Sequence, residues 1–118
     1  MLTIFHFTSW LVMKVINNNN NKRILRWNIM NVSYMAHVKG KVQGVYFRAS
    51  SQQVAIEHSL SGYARNLTDG DVEVLMCGKE HNIEKMIKWL EQGPPEAKVE
   101  NVDIKQVPWQ EHHFFAIS

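Results

Sequence analysis

The sequence predicts an α+β domain with the element order β-α-β-β-α-β: an antiparallel sheet carrying two helices on one face, with a possible short fifth strand. Three observations carry this prediction. Apolar residues alternate at period two near residues 34–42 and 72–76, and recur at helical spacing over residues 80–92. Asp69-Gly70 stands between two strand-like runs as a hairpin turn. Gly93 and Pro94-Pro95 are placed to stop the second helix.

The elements follow in order. Ala36, Val38 and Val42 share parity against His37, Lys39 and Lys41, which makes residues 34–39 a half-buried strand. Residues 49–59 read as a helix, with Phe47, Val54, Ala55, Ile56 and Leu60 as its apolar stripe and Ser61-Gly62 as its end. Residues 63–67 form the second strand. Val72, Val74 and Met76 alternate against Glu73 in the third, which Gly78 closes. In the second helix, Ile83, Met86, Ile87 and Leu90 fall at i, i+3, i+4 and i+7, and Glu84 and Lys88 form an i,i+4 pair. Residues 98–107 form the fourth strand, with Val102 and Ile104 in phase and Val99 out of phase, which predicts a bulge or an irregular start. Residues 114–117 are the candidate fifth strand. This is the ferredoxin-like arrangement, in which the first two strands run parallel with the third between them. The loop before the first helix is then expected near the second strand.

The chain has 118 residues, enough for one core. Residues 1–16 are apolar but shorter than the roughly 20 residues of a spanning helix, and basic residues follow the stretch instead of preceding it. Five consecutive asparagines, residues 17–21, form a low-complexity tract. Residues 1–30 are expected outside the fold, as an extension or a misassigned start, with Met30 or Met35 as a natural first residue. Residues 31–118 form the domain. The net charge of +2 is unevenly placed: Lys14, Lys22, Arg23 and Arg26 lie in the extension, and the remainder is net acidic. That argues against a nucleic-acid partner. The single Cys77 cannot form an internal disulfide and reads as a buried, inert thiol. It fits a reducing compartment.

Gly40-Lys41-Val42-Gln43-Gly44-Val45-Tyr46-Phe47-Arg48 joins the first strand to the first helix. Glycines permit backbone angles that turn successive N–H groups into one concavity, and a helix N-terminus adds unpaired donors and a positive dipole end. Arg48 supplies a planar donor fork matched to phosphate oxygens. Together they describe a phosphate cradle. By itself such a loop also describes a tight turn with a surface Arg. It is not a P-loop, because no Lys-Ser or Lys-Thr follows the second glycine. Nor is it a cysteine phosphatase loop: Val42 stands six residues before Arg48, where the nucleophile would be.

This stretch closely resembles the first signature of the acylphosphatase family, and Gly62-Tyr63-Ala64-Arg65-Asn66-Leu67-Thr68-Asp69-Gly70-Asp71-Val72-Glu73-Val74 resembles the second. Gln92-Gly93-Pro94-Pro95 and the alternating tail are also similar, so the resemblance covers residues 33–118. It implies hydrolysis of acyl phosphates, with Arg48 on the phosphate and Asn66 positioning the attacking water. The backbone amides of Gln43, Gly44, Val45, Tyr46, Phe47 and Arg48 then line the cradle. Lys41 stands where the family often has Arg, and Tyr63 where it often has Trp. The ending Phe115-Ala116-Ile117-Ser118 lacks the frequent basic or aromatic close, which leaves the contacts of the last strand open.

The expectation is a cytoplasmic, monomeric hydrolase for a small acyl phosphate, with no cofactor, metal, nucleic-acid or membrane partner, an uncleaved membrane anchor through residues 1–16 being the lesser alternative. Clustered carboxylates and Cys/His spacing are absent from the sequence. Asp69 and Asp71 read as turn residues, and Ser50 and Ser51 as first-turn helix serines. His112-His113 reads as a solvated loop pair, and His37 and His58 as surface residues. Arg65 is expected on the strand face opposite Asn66. An RNA-recognition module shares the topology but needs aromatics on its central strands, and residues 71–76 contain none. A non-catalytic anion-binding module, like the acylphosphatase-like units at the front of larger maturation enzymes, is the second alternative.

Overall fold

A computed structural model describes residues 30–118; the expectations for residues 1–29 lie outside the described residues. Five strands and two helices follow in the order β1 (Asn31–Lys41), α1 (Phe47–Glu57), β2 (Ser61–Asn66), β3 (Val72–Lys79), α2 (Glu80–Gln92), β4 (Lys98–Val107) and β5 (Phe115–Ile117). The sheet order is β4-β1-β3-β2-β5. β3 runs antiparallel to both β1 and β2, so those two run parallel to each other. β5 joins β2 in parallel. The α+β, ferredoxin-like arrangement predicted from the periodicities is the one observed.

Alternation in the strands builds the core. Ala36, Val38, Ala64, Val72, Val74, Met76 and Val102 turn one sheet face toward the helices and are buried. Ile83, Met86, Ile87 and Leu90 of α2 meet them, on the predicted stripe. At about 1.5–3 kcal/mol for each large apolar side chain removed from water, these contacts are a dominant favourable term in folding. α1 keeps most of its predicted stripe, with Phe47, Ala55 and Leu60 buried and Val54 packed against the core, but Ile56 leaves it and Ser51 joins it. Its buried residues are Phe47, Ser51 and Ala55, whereas Ile56 is exposed. Ser51 tolerates burial because its hydroxyl donates to the Phe47 carbonyl at 2.7 Å.

Element ends also differ from the sequence reading. β1 starts earlier than residue 34, and β3 runs through Gly78, which pairs with Val32, directly into α2. α1 begins at Phe47, inside the cradle motif, because Tyr46 takes a left-handed conformation and becomes the N-cap. Its end lies before Ser61-Gly62, which belong to β2 and pair with Cys77 and Met76. The helix is closed instead by Ser59, at φ 55°, with Ser59 N–H donating to the Ile56 carbonyl and Leu60 N–H to the Ala55 carbonyl. That is a Schellman motif with serine in the glycine position. Of the two readings of the Val99 phase break, a bulge or an irregular start, the structure has the bulge: Lys39 faces Asn101 and Gly40 faces Val99, so β4 has one extra residue there. Gly40 sits at φ 129°, and a Cβ on it would run into the Lys98 carbonyl.

The opposite sheet face is partly closed by residues 108–114, which cross from β4 at one edge to β5 at the other. The Gln110 N–H donates to the Ser33 hydroxyl at 3.0 Å, and the His112 ring meets Tyr63 edge-on. Ser33, Leu75 and Cys77 on this face are buried.

Candidate active site

Because β1 and β2 are parallel, their C-terminal ends fall at the same end of the sheet. Val72 of the intervening β3 pairs with Val38 on one side and Asn66 on the other. The loop leaving β1 and the last residue of β2 are thereby brought together. An open cavity of about 370 Å³ lies between them, lined by Val42, Gly44, Tyr46, Phe47, Arg48, Ala49, Asn66 and Ile117.

The loop is anchored by alternation. Val42, Val45 and Phe47 are buried in the core, while Gly44 and Tyr46 face outward. Phe47 packs its ring 5.6 Å from that of Trp89. Gly44 at φ 74° and Tyr46 at φ 62° bend the backbone around the cavity. Residues Phe47, Arg48 and Ala49 form the first turn of α1, whose N–H groups have no intrahelical acceptor. Tyr46 gives the helix no side-chain cap. The result is a set of main-chain donors at the positive end of a helix dipole.

Arg48 extends from that first turn, and its guanidinium donates to the main-chain oxygen of Ser118 at 2.7 Å. This orients the fork and leaves further donors for an anion. β5 is held in turn by Gln52, whose Nε2 donates to the Phe115 carbonyl at 2.7 Å, and by Ser118 N–H, which donates to the Ala64 carbonyl at 3.0 Å. The tail contacts left open by the sequence are therefore main-chain contacts, indifferent to which side chain ends the strand.

Arg65 lies on the face opposite Asn66, as its parity requires. It pairs with Glu73, Nε to Oε1 at 3.1 Å, beside Tyr63, whose hydroxyl donates to the same carboxylate at 2.9 Å. It takes no part in the cavity. Ser50 and Ser51 also lie outside its lining.

Two contacts were not legible from spacing. Gln43 does not line the cavity; its carboxamide reaches the turn after Asn66. His37 Nε2 lies 2.6 Å from Asp71 Oδ2, with Asp69 Oδ2 at 4.0 Å. His37, Asp69 and Asp71 thus gather three potential metal-ligand atoms within 4.8 Å, where the sequence reading found no such cluster. The side chains already serve each other and the turn: Asp71 takes the His37 contact, and Asp69 Oδ1 accepts the Asp71 N–H at 2.9 Å. β1 contributes the His from a distant part of the sequence, which is why spacing did not reveal it.

The family model described as Acylphosphatase matches residues 34–117. The chain belongs to the acylphosphatase family. An acylphosphatase of Colwellia psychrerythraea is 73% identical over 88 residues, covering 75% of this chain and 99% of that protein. Among solved structures, an acylphosphatase from Coxiella burnetii aligns at 38% identity and a TM-score of 0.73, covering 75% of this chain and 93% of that one. Acylphosphatase from Bacillus subtilis aligns at 34% identity and a TM-score of 0.71, covering 75% and 99%. The chain is accordingly an acylphosphatase-type hydrolase, with acyl phosphates as its substrate class. The two acylphosphatase signatures meet at the cavity, one giving its loop and Arg48, the other Asn66.

Proposed function

We propose that this cavity hydrolyses the carboxyl–phosphate bond of a small acyl phosphate, with Arg48 and the backbone amides of residues 43–48 holding the phosphoryl group and Asn66 placing the attacking water. The observation that carries this is the shared cavity: Gly44, Tyr46 and Phe47 of the loop, Arg48 and Asn66 line one space. A carboxylate is a good leaving group and needs little protonation. What remains is to gather phosphoryl charge and set a water in line with the breaking bond. Preorganised N–H donors and a guanidinium do the first. A carboxamide, which can accept from water and donate elsewhere, does the second.

In the step itself, the water oxygen bonds to phosphorus and the phosphorus–acyl oxygen bond breaks. The bonding pair leaves with the carboxylate. The water proton passes to a phosphoryl oxygen, since a neutral amide cannot act as general base. No metal enters this scheme. The reading extends to a monomer and to the cytoplasm, the latter supported by the single, buried Cys77. It takes residues 31–118 as sufficient, since the cavity residues among those described lie there.

The test is hydrolysis of acetyl phosphate, in chelator, by the full chain and by residues 30–118, with Arg48→Gln and Asn66→Ala variants. Loss of about 10²–10³-fold in kcat is expected for Asn66→Ala, with inorganic phosphate still bound. Arg48→Gln is expected to lose both turnover and phosphate affinity. Wild-type phosphate affinity in Arg48→Gln would sink the cradle assignment, and unaltered turnover in Asn66→Ala the water assignment. Phosphate binding without turnover in the wild-type chain would leave an anion-binding module.

A further inference from the structure

Gln43 lies within the cradle loop, but its side chain turns away from the cavity. Its Nε2 donates to the Leu67 carbonyl at 2.7 Å and to the Asp71 carbonyl at 2.8 Å. Those two carbonyls close the β2–β3 turn. Leu67 N–H donates to the Asp71 oxygen at 2.8 Å, and Gly70 N–H donates to the Leu67 oxygen at 3.2 Å. Asn66 is the residue immediately before Leu67. Both protons of one primary amide are therefore spent on main chain adjoining Asn66.

We propose that Gln43 is a positioning residue, which holds Asn66 in register with the phosphate cradle. The proposal rests on the roles given above to Asn66 and the cradle. Backbone pairing alone does not supply this link. β1 and β2 are not neighbours in the sheet, because β3 lies between them. The loop after β1 and the turn after β2 could shift relative to one another without breaking any ladder bond. One end of the Gln43 tie moves with the loop and the other with the turn. The distance from a water on Asn66 to phosphorus in the cradle is set across that tie. The chemistry needed is narrow: two donors on one planar nitrogen, facing two carbonyl oxygens. A carboxylate there would face both oxygens with lone pairs, and an aliphatic chain would leave them without this donor.

The experiment uses the full chain and its Gln43→Met variant, which keeps length and backbone amide while removing both donors. Acetyl phosphate turnover gives kcat and KM, and competition by inorganic phosphate gives the affinity of the cradle. A misplaced water is expected to lower kcat about 10- to 100-fold, with phosphate affinity changed less than about threefold. A kcat within about twofold of wild type would overturn the proposal, and so would a parallel fall in phosphate affinity, which would mean that Gln43 merely shapes the cradle. A second measurement needs no variant. In the wild-type protein the two Gln43 Nε2 protons should give separate NMR signals protected from solvent exchange. A rapidly exchanging, unprotected pair would also overturn it. Failure of the underlying reading is separately visible, because Asn66→Ala would then turn over normally whatever Gln43→Met does.

Discussion

The Arg48 guanidinium and the main-chain oxygen of Ser118 lie 2.7 Å apart across a sequence separation of 70 residues. Deleting Ser118 removes this acceptor and the N–H that pairs with Ala64. Arg48 would keep its charge but lose its fixed direction. KM for acetyl phosphate should rise about fivefold, the equivalent of one net hydrogen bond of ~1 kcal/mol. Steady-state kinetics of the shortened chain check this. Replacing Ser118 by Ala should have little effect, because both contacts are main-chain.

Ser59 takes φ 55° at the C-terminal end of α1, where glycine is unstrained. Ser59→Gly should raise stability by about 0.5–1 kcal/mol, since relief of the left-handed strain outweighs the added freedom of the unfolded chain. Urea unfolding at constant m checks it. Activity should be unchanged, because Ser59 does not line the cavity.

Gly40 marks the bulge where β1 meets β4, just before the cradle. At φ 129°, with the Lys98 carbonyl in the path of any Cβ, Gly40→Ala forces the two strands apart. The expected loss is about 2–4 kcal/mol, from backbone strain and broken ladder bonds. A thermal melt measures it.

Tyr34 donates to a Glu80 carboxyl oxygen at 3.0 Å within the core. Burial, then the charge of Glu80 and this hydrogen bond, push its phenol well above the ordinary 10.0. Tyr63 moves the same way through burial and Glu73. Cys77 is also raised, by burial, against a smaller opposing effect of the Ser33 contact. Each group keeps its proton in the fold at a pH where the unfolded chain has lost it. Their contribution is complete below the unfolded values of 9.0 for the thiol and 10.0 for the phenols, and falls as pH rises past them. Denaturation midpoints should therefore fall above about pH 9. Tyr34→Phe should flatten the fall while costing about 1–2 kcal/mol at neutral pH.

The legible parts of this molecule were those governed by one period or one short-range rule. α2 shows all four of its predicted buried residues because an amphipathic stripe is a local pattern. The Val99 phase break showed the irregularity, here a bulge, for the same reason. Arg48 and Asn66 were reached through signatures, and topology then explains why they share a cavity. Less legible was what depends on partners distant in sequence. Ile56 looks like a core residue by spacing, yet the sheet meets α1 along Phe47, Ser51 and Ala55. Ser33 lies before the predicted first strand, yet it is a buried strand residue whose hydroxyl accepts from Gln110 N–H of the 108–114 crossing. Tyr46 gave no sign of a left-handed N-cap, because tyrosine rarely adopts that conformation; the surrounding loop imposes it.

Residues 108–114 join two ends that are otherwise far apart, the outer edge of β4 and the strand that holds Arg48 through Ser118. A proteolytic cut there would leave Arg48 and Asn66 on one chain and Ile117, with β5, on the other. It would turn β5 from a tethered strand into part of a separate peptide ligand, with the high effective concentration of the tether replaced by whatever is free in solution. Occupancy of β5, and with it the direction of Arg48, would then fall on dilution. An intact chain has activity proportional to its concentration, whereas a nicked one would lose activity per molecule as it is diluted.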